Sequence, residues 1–219
     1  MLRLARYGFL MVILGMAVAV PSASAVSFHS QSNPEYLLGQ QVESTKFRFP
    51  STFFGLTILE PICTAGNGVG QTMSHTSAQI QLSPTYSGCT TEGVPLAIEM
   101  NGCAYTFTPA GAPPVFSGSL ALTCPAGKAV VFKFFAGWTE WCQIIMPPQV
   151  PSESKFELLN EGPQVRLRGT AKGFWYTTKP ESELINCRVP ANDAELILDL
   201  VVKGYSDPAR TKQVSFRVE

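Results

Sequence analysis

The sequence predicts an all-β fold, an antiparallel β-sandwich fastened by disulfides. Short runs rich in Val, Ile, Phe and Thr are separated by turn-forming residues, of which there are 18 Gly and 17 Pro. Only 15% of the residues are charged. No long window shows the 3.6-residue apolar stripe of an amphipathic helix. These observations favour short strands that pack as a sandwich or as two stacked sheets.

The first 25 residues have the features of a secretory signal peptide. Arg3 and Arg6 precede an uncharged apolar run over Tyr7–Val20, and Ala23-Ser24-Ala25 provides small residues for a cleavage site. The run is shorter than the ~20 residues that span a bilayer core. The alternative is a retained N-terminal anchor; no later segment is long and apolar enough to span a membrane. We therefore expect a secreted protein, extracellular or associated with the cell wall, that begins at Val26.

The remaining residues are predicted to form a leader and two β lobes. In chain order these are a loose leader over 26–40, a first β lobe over 41–148 and a second β lobe over 149–219. The division rests on a weak internal repeat, in which residues 94–106 match residues 165–177 at a constant offset of 71. The segment 147–154 is rich in Pro and Ser and is the best candidate for a linker. Only five positions of the repeat are identical, so both duplication and chance remain open. The sequence also leaves open whether the two lobes form one compact domain.

Apolar and alternating runs predict a series of strands along both lobes. They cover 41–49, 53–59, 78–82, 95–100, 103–108, 119–124, 129–135, 141–146, 156–159, 165–171, 173–178, 195–203 and 213–218. Residues 66–70, with the sequence Gly-Asn-Gly-Val-Gly, are predicted to be a flexible loop.

Six cysteines follow the signal peptide and indicate a disulfide framework, since disulfides persist outside the reducing cytosol. The preferred pairs are Cys63–Cys89, Cys103–Cys124 and Cys142–Cys187. The first pair flanks the glycine-rich loop, and the second lies on the two strands of a predicted hairpin around residues 112–114. The third pair remains and would join the lobes. Six cysteines allow 15 pairings, and the spacing alone does not choose among them.

The cysteine spacing also argues against a metal centre. Structural zinc sites usually carry ligands two to four residues apart, and the closest cysteines here, Cys89 and Cys103, are 14 residues apart. No metal or other cofactor is predicted.

Four short motifs support this picture. They are Tyr86–Cys89, the MNGCAYTF run over Met100–Phe107, the CPAG run over Cys124–Gly127 and the MPPQ run over Met146–Gln149. In this order and spacing they resemble a group of secreted, six-cysteine, β-rich proteins abundant in some high-GC Gram-positive soil bacteria. The resemblance spans about residues 60–190. It implies export and a shared cysteine framework, and it assigns no activity.

The charge balance excludes one class of partner. The signal peptide holds two of the 16 basic residues and none of the 16 acidic ones, which leaves the expected mature chain with a net charge of −2. Nucleic acid binding needs clustered Lys and Arg, so it is not predicted. A polysaccharide or another surface protein remains as the expected kind of partner.

Residues for catalysis are scarce. His29 lies in the predicted leader, and His75 lies in the run Ser74-His75-Thr76-Ser77. A hydroxyl, an imidazole and a distant carboxylate can form a triad, but the chain has no Gly-x-Ser-x-Gly elbow, and a solvated loop histidine is the favoured interpretation. A glycosidase needs two carboxylates that face each other across a cleft. The candidates for such a pair are Glu60, Glu92, Glu99 and Glu140.

The three tryptophans indicate a binding surface. Alternation along the strands predicts that Trp141 and Trp175 point outward, and Trp138 lies in the turn before Trp141. Exposed tryptophans on a sheet can stack on sugar rings or dock a partner; the alternative is that a second layer covers them. We expect a secreted or cell-surface non-enzymatic protein with a binding or structural role. The alternatives are a carbohydrate-binding module that uses these tryptophans, and a hydrolase that uses His75 or a Glu pair.

Overall fold

The computed structural model describes residues 25–50, 59–180 and 190–219. Apart from Ala25, the predicted signal peptide lies outside the described residues, as does the strand predicted over 53–59 apart from Leu59. The described residues form an all-β structure. Its strands are β1 (Phe28–Ser30), β2 (Glu35–Gln41), β3 (Thr45–Arg48), β4 (Ile62–Thr72), β5 (Thr76–Ser77), β6 (Ile80–Thr91), β7 (Val94–Glu99), β8 (Ala104–Ala112), β9 (Val115–Thr123), β10 (Val130–Ala136), β11 (Thr139–Met146), β12 (Glu153–Glu161), β13 (Gln164–Pro180), β14 (Ala191–Tyr205), β15 (Gln213–Val214) and β16 (Phe216–Val218).

Every strand pairing within the described residues is antiparallel, and the pairings form closed circuits. One circuit runs β2–β4–β6–β8–β9–β12–β13–β14 and returns to β2. A second runs β6–β7–β10–β11–β13 and returns to β6 through β14, β3 and β4. The long strands β4, β6, β13 and β14 belong to both circuits. The layers of the sandwich are therefore joined by backbone hydrogen bonds, which leaves few open sheet edges.

The core lies between the layers and is rich in aromatic rings. Phe132 on β10 is completely buried and meets Phe47 and Phe49 edge to face, with ring centroids 4.9 and 5.2 Å apart. Phe49 makes a similar contact with Tyr176 at 5.1 Å. Alternate residues of the long strands extend this core, because successive side chains of a strand point to opposite faces. Leu167 on β13, for example, is completely buried.

The prediction of a loose leader over residues 26–40 is wrong. β1 pairs with β16 and β5, and β2 lies between β14 and β4. Phe28 is 1% exposed and stacks on Phe216 with ring centroids 5.5 Å apart. The segment resembles a leader in sequence because only alternate residues of these short strands face the core. Two of those inward positions carry the polar residues Ser30 and Glu35.

The strands of the two predicted lobes interleave. β9 pairs with β12 across the predicted boundary, β2 and β3 pair with β14, and side chains from both sides share one hydrophobic core. The repeat segments differ in structure: residues 94–106 form two strands and a turn, and residues 165–177 belong to the continuous strand β13. The predicted linker is anchored, since Gln149 and Leu122 exchange backbone hydrogen bonds of 2.8 and 2.9 Å. In the described residues the chain forms one compact unit.

The glycine-rich segment over residues 66–70 is part of strand β4, so its prediction as a flexible loop is wrong. Gly68 faces Leu82, and a Cβ atom at Gly68 would lie 3.3 Å from the Leu82 Cβ atom. A Cβ atom at Gly70 would lie 2.2 Å from the carbonyl oxygen of Gln81. These glycines allow β4 and β6 to pack closely, which is a role that glycine commonly has inside a strand.

Two disulfides lie within the described residues, Cys63–Cys89 and Cys103–Cys124, and both are pairs preferred from the sequence. The first joins β4 to β6, and the second joins the residue before β8 to the residue after β9, with Cα atoms 3.9 and 4.0 Å apart. Disulfides of this kind stabilise a fold by about 2–4 kcal/mol each, chiefly by constraining the unfolded chain. Cys142 is buried on β11. Its preferred partner Cys187 lies outside the described residues, so the third bond stays a prediction.

One buried carboxyl group makes a pH dependence of stability testable. Glu35 is completely buried, and its Oε1 atom lies where a side chain on Gly204 would otherwise be. Burial raises the pKa of Glu35 above its ordinary value, although hydrogen bonds from Ser32 partly oppose this effect. The folded state therefore binds a proton more readily than the unfolded state does. The resulting stabilisation is complete below the ordinary pKa of about 4.3 and is lost as the pH rises through the raised pKa.

We expect Glu35→Gln to flatten this part of the stability profile. Urea unfolding between pH 4 and pH 7 should show a smaller loss of unfolding free energy with rising pH in the variant than in the wild type. The exposed Glu92→Gln variant is the control and should keep the wild-type slope. Equal slopes for wild type and Glu35→Gln would contradict the assignment.

Candidate functional site

The structure contains a concave polar face on the outside of the sandwich. It is a depression of about 990 Å³. Its floor is formed by outward-facing side chains of six strands, β3, β8, β9, β12, β13 and β14. The volume is in the range of ligand sites in proteins. We call this surface the concave face.

Two glycines account for the close approach of the strands beneath the face. Gly118, Phe156 and Gly169 lie side by side on β9, β12 and β13. A Cβ atom at Gly169 would lie 2.0 Å from the carbonyl oxygen of Lys155, and one at Gly118 would lie 2.5 Å from Leu158. Gly169 also adopts a φ of +154°, which L residues rarely do. Glycine at these positions allows a tight bend of the sheet, as it does at strand kinks elsewhere.

The registers of the strands align six outward side chains across the floor of the face. Lys46 pairs with Ile197, Ile197 with Thr170, and Thr170 with Lys155. The pairing of Gly118 with Phe156 then places Ser119 beside Lys155, and Ser119 pairs with Thr108. We call this line the central row. Its members are Lys46, Ile197, Thr170, Lys155, Ser119 and Thr108.

The hydroxyl groups of the central row are available to a ligand. In the part of the chain that the structure describes, the hydroxyls of Thr108, Ser119 and Thr170 make no hydrogen bond to protein atoms. Ser117, one strand position away, is also unpaired there. Each hydroxyl offers one donor and two acceptor positions. Polar groups that are not used by the fold are the usual source of specificity in a binding site.

The row on one side of the central row is an ionic ladder. Glu195 lies between two cations, with Lys172 Nζ at 3.1 Å and Arg48 Nη1 at 3.8 Å. Arg48 also pairs with Glu60 at 2.5 Å, and this hydrogen bond raises the pKa of the Arg48 guanidinium. At the far end of the ladder, Glu153 pairs with Lys155, which lowers the pKa of Glu153. The charges of this row are therefore largely balanced within the protein.

The row on the other side is balanced in the same way. Arg168 donates to Glu157, with Nη2 2.7 Å from the carboxylate oxygen. Arg166 binds both carboxylate oxygens of Asp199, at 2.8 and 2.6 Å, and this bidentate pair raises the pKa of Arg166. The central row thus lies between two neutralised rows, and its own two charged groups are both lysines.

The three tryptophans do not form one platform. Trp138 is fully exposed at the β10–β11 turn, Trp175 is 45% exposed on β13, and Trp141 is half-buried against the core. The predicted orientation of Trp175 is confirmed, since its neighbours Phe174 and Tyr176 are buried. The β11–β13 register places Trp175 about six residues along the strands from Trp141, or ~20 Å. A single sugar chain would therefore meet isolated rings rather than a continuous aromatic surface.

Tryptophan exposure can be measured directly. Acrylamide is expected to quench the emission of Trp138 most strongly, because nothing shields that ring. The Trp138→Phe variant should show a clearly smaller Stern–Volmer slope than the wild type, and Trp141→Phe should not lower the slope. A larger drop for Trp141→Phe than for Trp138→Phe would contradict the assigned exposures.

The groups considered for catalysis are not assembled into a recognisable site. His75 is exposed, and its Nδ1 atom lies 3.0 Å from the carbonyl oxygen of Ser30. The Ser74 hydroxyl donates to the Thr76 carbonyl oxygen at 2.6 Å rather than to an imidazole. His29 is on β1, where Nε2 lies 3.0 Å from the Ser27 hydroxyl. Neither histidine lines the concave face.

Two of the four glutamates considered for a glycosidase pair lie near the same lysine, and the other two lie elsewhere. Glu60 pairs with Arg48, and Glu92 is an exposed turn residue. Glu99 pairs with Lys133 at 2.6 Å, and the charge of Glu140 also acts on Lys133. Glu140 accepts a hydrogen bond from Gln143. The structure thus gives Glu60, Glu99 and Glu140 partners within the protein.

The described ranges contain neither a metal-binding cluster nor a membrane-spanning helix. No group of three or more His, Cys, Asp or Glu side chains in residues 25–50, 59–180 and 190–219 is arranged to hold a metal ion. Within the same ranges, no helix has the length and hydrophobicity needed to cross a membrane.

Comparison with known proteins gives no relative from which a function could be transferred. No protein-family model, no curated protein and no solved structure matches the chain.

The central row is not recognisable in the sequence. Its members are spread from Lys46 to Ile197 and become neighbours only through the cross-strand registers. One local signal is present: Ser117 and Ser119 alternate with inward-facing residues on β9. That signal marks an exposed strand face but does not show which other strands lie beside it.

Proposed function

We propose that this protein is secreted and acts at the cell surface or outside the cell as a non-enzymatic binding protein. Its concave face would hold a polyhydroxylated polymer, that is, a polysaccharide. The export-type N-terminus and the disulfides support the location, because disulfides form in oxidising compartments. The absence of an assembled catalytic constellation in the described residues supports a binding role.

The observation that carries the proposal is the set of unpaired hydroxyls along a concave floor. A sugar offers many hydroxyl donors and acceptors, and Thr and Ser hydroxyls can rotate to match them. The central row crosses six strands, or about 24 Å at the usual strand spacing. A site of this length fits a chain of several sugar units better than a single small molecule.

Binding to a panel of polysaccharides tests the proposal. Affinity electrophoresis of the mature protein should show retardation by at least one of them. The triple variant Thr108→Val, Ser119→Ala, Thr170→Val should weaken that binding about tenfold or more, because each hydrogen bond contributes roughly 0.5–1.5 kcal/mol. The control is Ser83→Ala with Thr85→Val, two exposed hydroxyls on β6 away from the concave face. Unchanged binding by the triple variant would refute the site.

The carbohydrate-binding module that uses tryptophans is the second candidate. It is favoured by the exposure of Trp138 and Trp175. In the same assay, loss of binding on Trp138→Ala or Trp175→Ala, with the triple hydroxyl variant unaffected, would favour this candidate over the concave face.

A further inference from the structure

The ionisable side chains of the central row are all basic. Its two ionisable members are Lys46 and Lys155, and the row contains no acidic side chain. Lys46 has no ion-pair partner among the described residues. Lys155 pairs with Glu153, but its side chain is 77% exposed, so water weakens this pair and the ammonium group can turn to a ligand.

Most of the acidic side chains around the central row form ion pairs with basic residues of the protein. Glu195 is held by Lys172 and Arg48, and Asp199 is held by Arg166. Glu157 is held by Arg168. Glu43 also lines the depression, but it belongs to the β2–β3 turn rather than to the row. Four basic and three acidic side chains line the depression, which gives it a net charge of +1, and the charges on the central row itself are those of the two lysines.

The spacing of the lysines suits an extended anion rather than a compact one. Lys46 is on β3 and Lys155 is on β12, three strand spacings away, or about 14 Å between their Cα atoms. Ammonium groups that stand above their own backbones at this spacing match two separate anionic groups of one extended chain. Between them lie Ile197, which offers an apolar contact, and the hydroxyl of Thr170.

We propose that the ligand of the concave face is an acidic polysaccharide, a glycan chain whose carboxylate groups pair with Lys46 and Lys155. The chain lies across the strands. Its sugar hydroxyls bond to Thr108, Ser119 and Thr170, and the apolar face of one ring rests on Ile197. This proposal rests on the proposed function and adds the charge of the ligand to it. Polyphosphate is disfavoured because it has no apolar ring face for Ile197 and no hydroxyl donors for the acceptor positions of the three hydroxyls.

Three probes and two pairs of variants test the charge. The probes are polygalacturonate, which carries carboxylates; dextran, which is neutral; and polyphosphate, which is anionic without sugar. The test variant is Lys46→Gln with Lys155→Gln. The matched control is Lys128→Gln with Lys212→Gln, which makes the same change in net charge at exposed lysines outside the concave face. Unfolding midpoints check that every variant is folded.

We expect polygalacturonate to bind most tightly, with an affinity that falls as salt rises. The test variant should lose about tenfold in affinity and most of the salt dependence, and the control should stay within about twofold. Equal binding of dextran and polygalacturonate would overturn the inference, as would equal losses in the test and control variants. So would binding of polyphosphate as tight as that of polygalacturonate, or binding of none of the three probes.

The two proposals can fail separately. If dextran binds as well as polygalacturonate and the triple hydroxyl variant loses that binding, the charge inference is wrong and the polysaccharide-binding function stands. If the triple hydroxyl variant binds every polysaccharide as the wild type does, the concave face itself is not the site.

Discussion

Replacing Gly169 by alanine is expected to lower the free energy of unfolding by about 3 kcal/mol or more, one of the large effects that single substitutions produce. The Cβ atom of alanine would lie 2.0 Å from the carbonyl oxygen of Lys155 and 2.8 Å from the Cα atom of Phe156. Both obstacles are backbone, so no rotation of a side chain can relieve them. The strands β12 and β13 would have to separate, which would also disturb the Phe156 contact with Phe107.

The control for this substitution lies in the same hairpin. Gly162 also has a positive φ, +64°, but a Cβ atom there meets nothing within 4 Å. Gly162→Ala should therefore cost only about 1 kcal/mol, the usual penalty for alanine in a left-handed conformation. Urea unfolding of the two variants measures the difference. Similar losses for both would show that β12 and β13 do not approach each other as closely as described. The described shape of the concave face would then also be wrong.

Replacing Phe132 by alanine is expected to cost about 3–5 kcal/mol, the range for a large aromatic residue removed from a well-packed core. Phe132 is completely buried and is in edge-to-face contact with Phe47 and Phe49. These contacts join β10 to the segment around β3. The two strands lie across from each other in the second strand circuit. Removal of the ring leaves a cavity. The neighbouring residues cannot easily fill it, because their strands are fixed by backbone hydrogen bonds to the adjacent strands.

A neighbouring residue provides the comparison for Phe132. Val131 precedes it on β10 and faces outward, half-buried. Val131→Ala should therefore cost about 1 kcal/mol or less, since surface substitutions seldom have large effects. Guanidinium unfolding of both variants tests this ordering. An equal cost for the two would contradict the assigned faces of β10.

Much of the fold could be predicted from residue patterns because the strands of the central sheets bury alternate side chains. On β11, for example, Cys142, Ile144 and Met146 face the core as the alternation predicts. The hairpin of β8 and β9 around Pro113 and Pro114 also follows from its turn residues. In these elements the local pattern and the tertiary environment agree.

The errors arose where burial depends on distant partners. Glu35 is a charged residue in the core, so β2 lacks a hydrophobic alternation that a sequence pattern could reveal. Gly66, Gly68 and Gly70 look like a loop because glycine weakens strands in general. Here Gly68 and Gly70 allow the close packing of β4 against Leu82 and Gln81, and Gly66 leaves room for Gln41 and Tyr86. Such long-range sterics cannot be derived from local sequence.

The candidate site could not be predicted for a related reason. Thr108, Thr170 and Lys46 are ordinary exposed residues in sequence, and Thr and Lys are common on the outer faces of strands. The registers of five strand pairs make them neighbours, and the two glycines beneath them let β12 lie close to β9 and β13. The tryptophans gave a clearer sequence signal, but the structure separates them along the sheet.

Lysine labelling in the presence of polygalacturonate tests the central claim most directly. Each lysine of the mature protein is acetylated with and without the polymer, and the extent of modification is read by mass spectrometry. The account predicts that Lys46 and Lys155 are protected together and that Lys128 and Lys212 react as before. The account would be contradicted if Lys46 and Lys155 kept their reactivity with the polymer bound. Protection of Lys133 on β10, outside the concave face, in place of these two lysines would also contradict it.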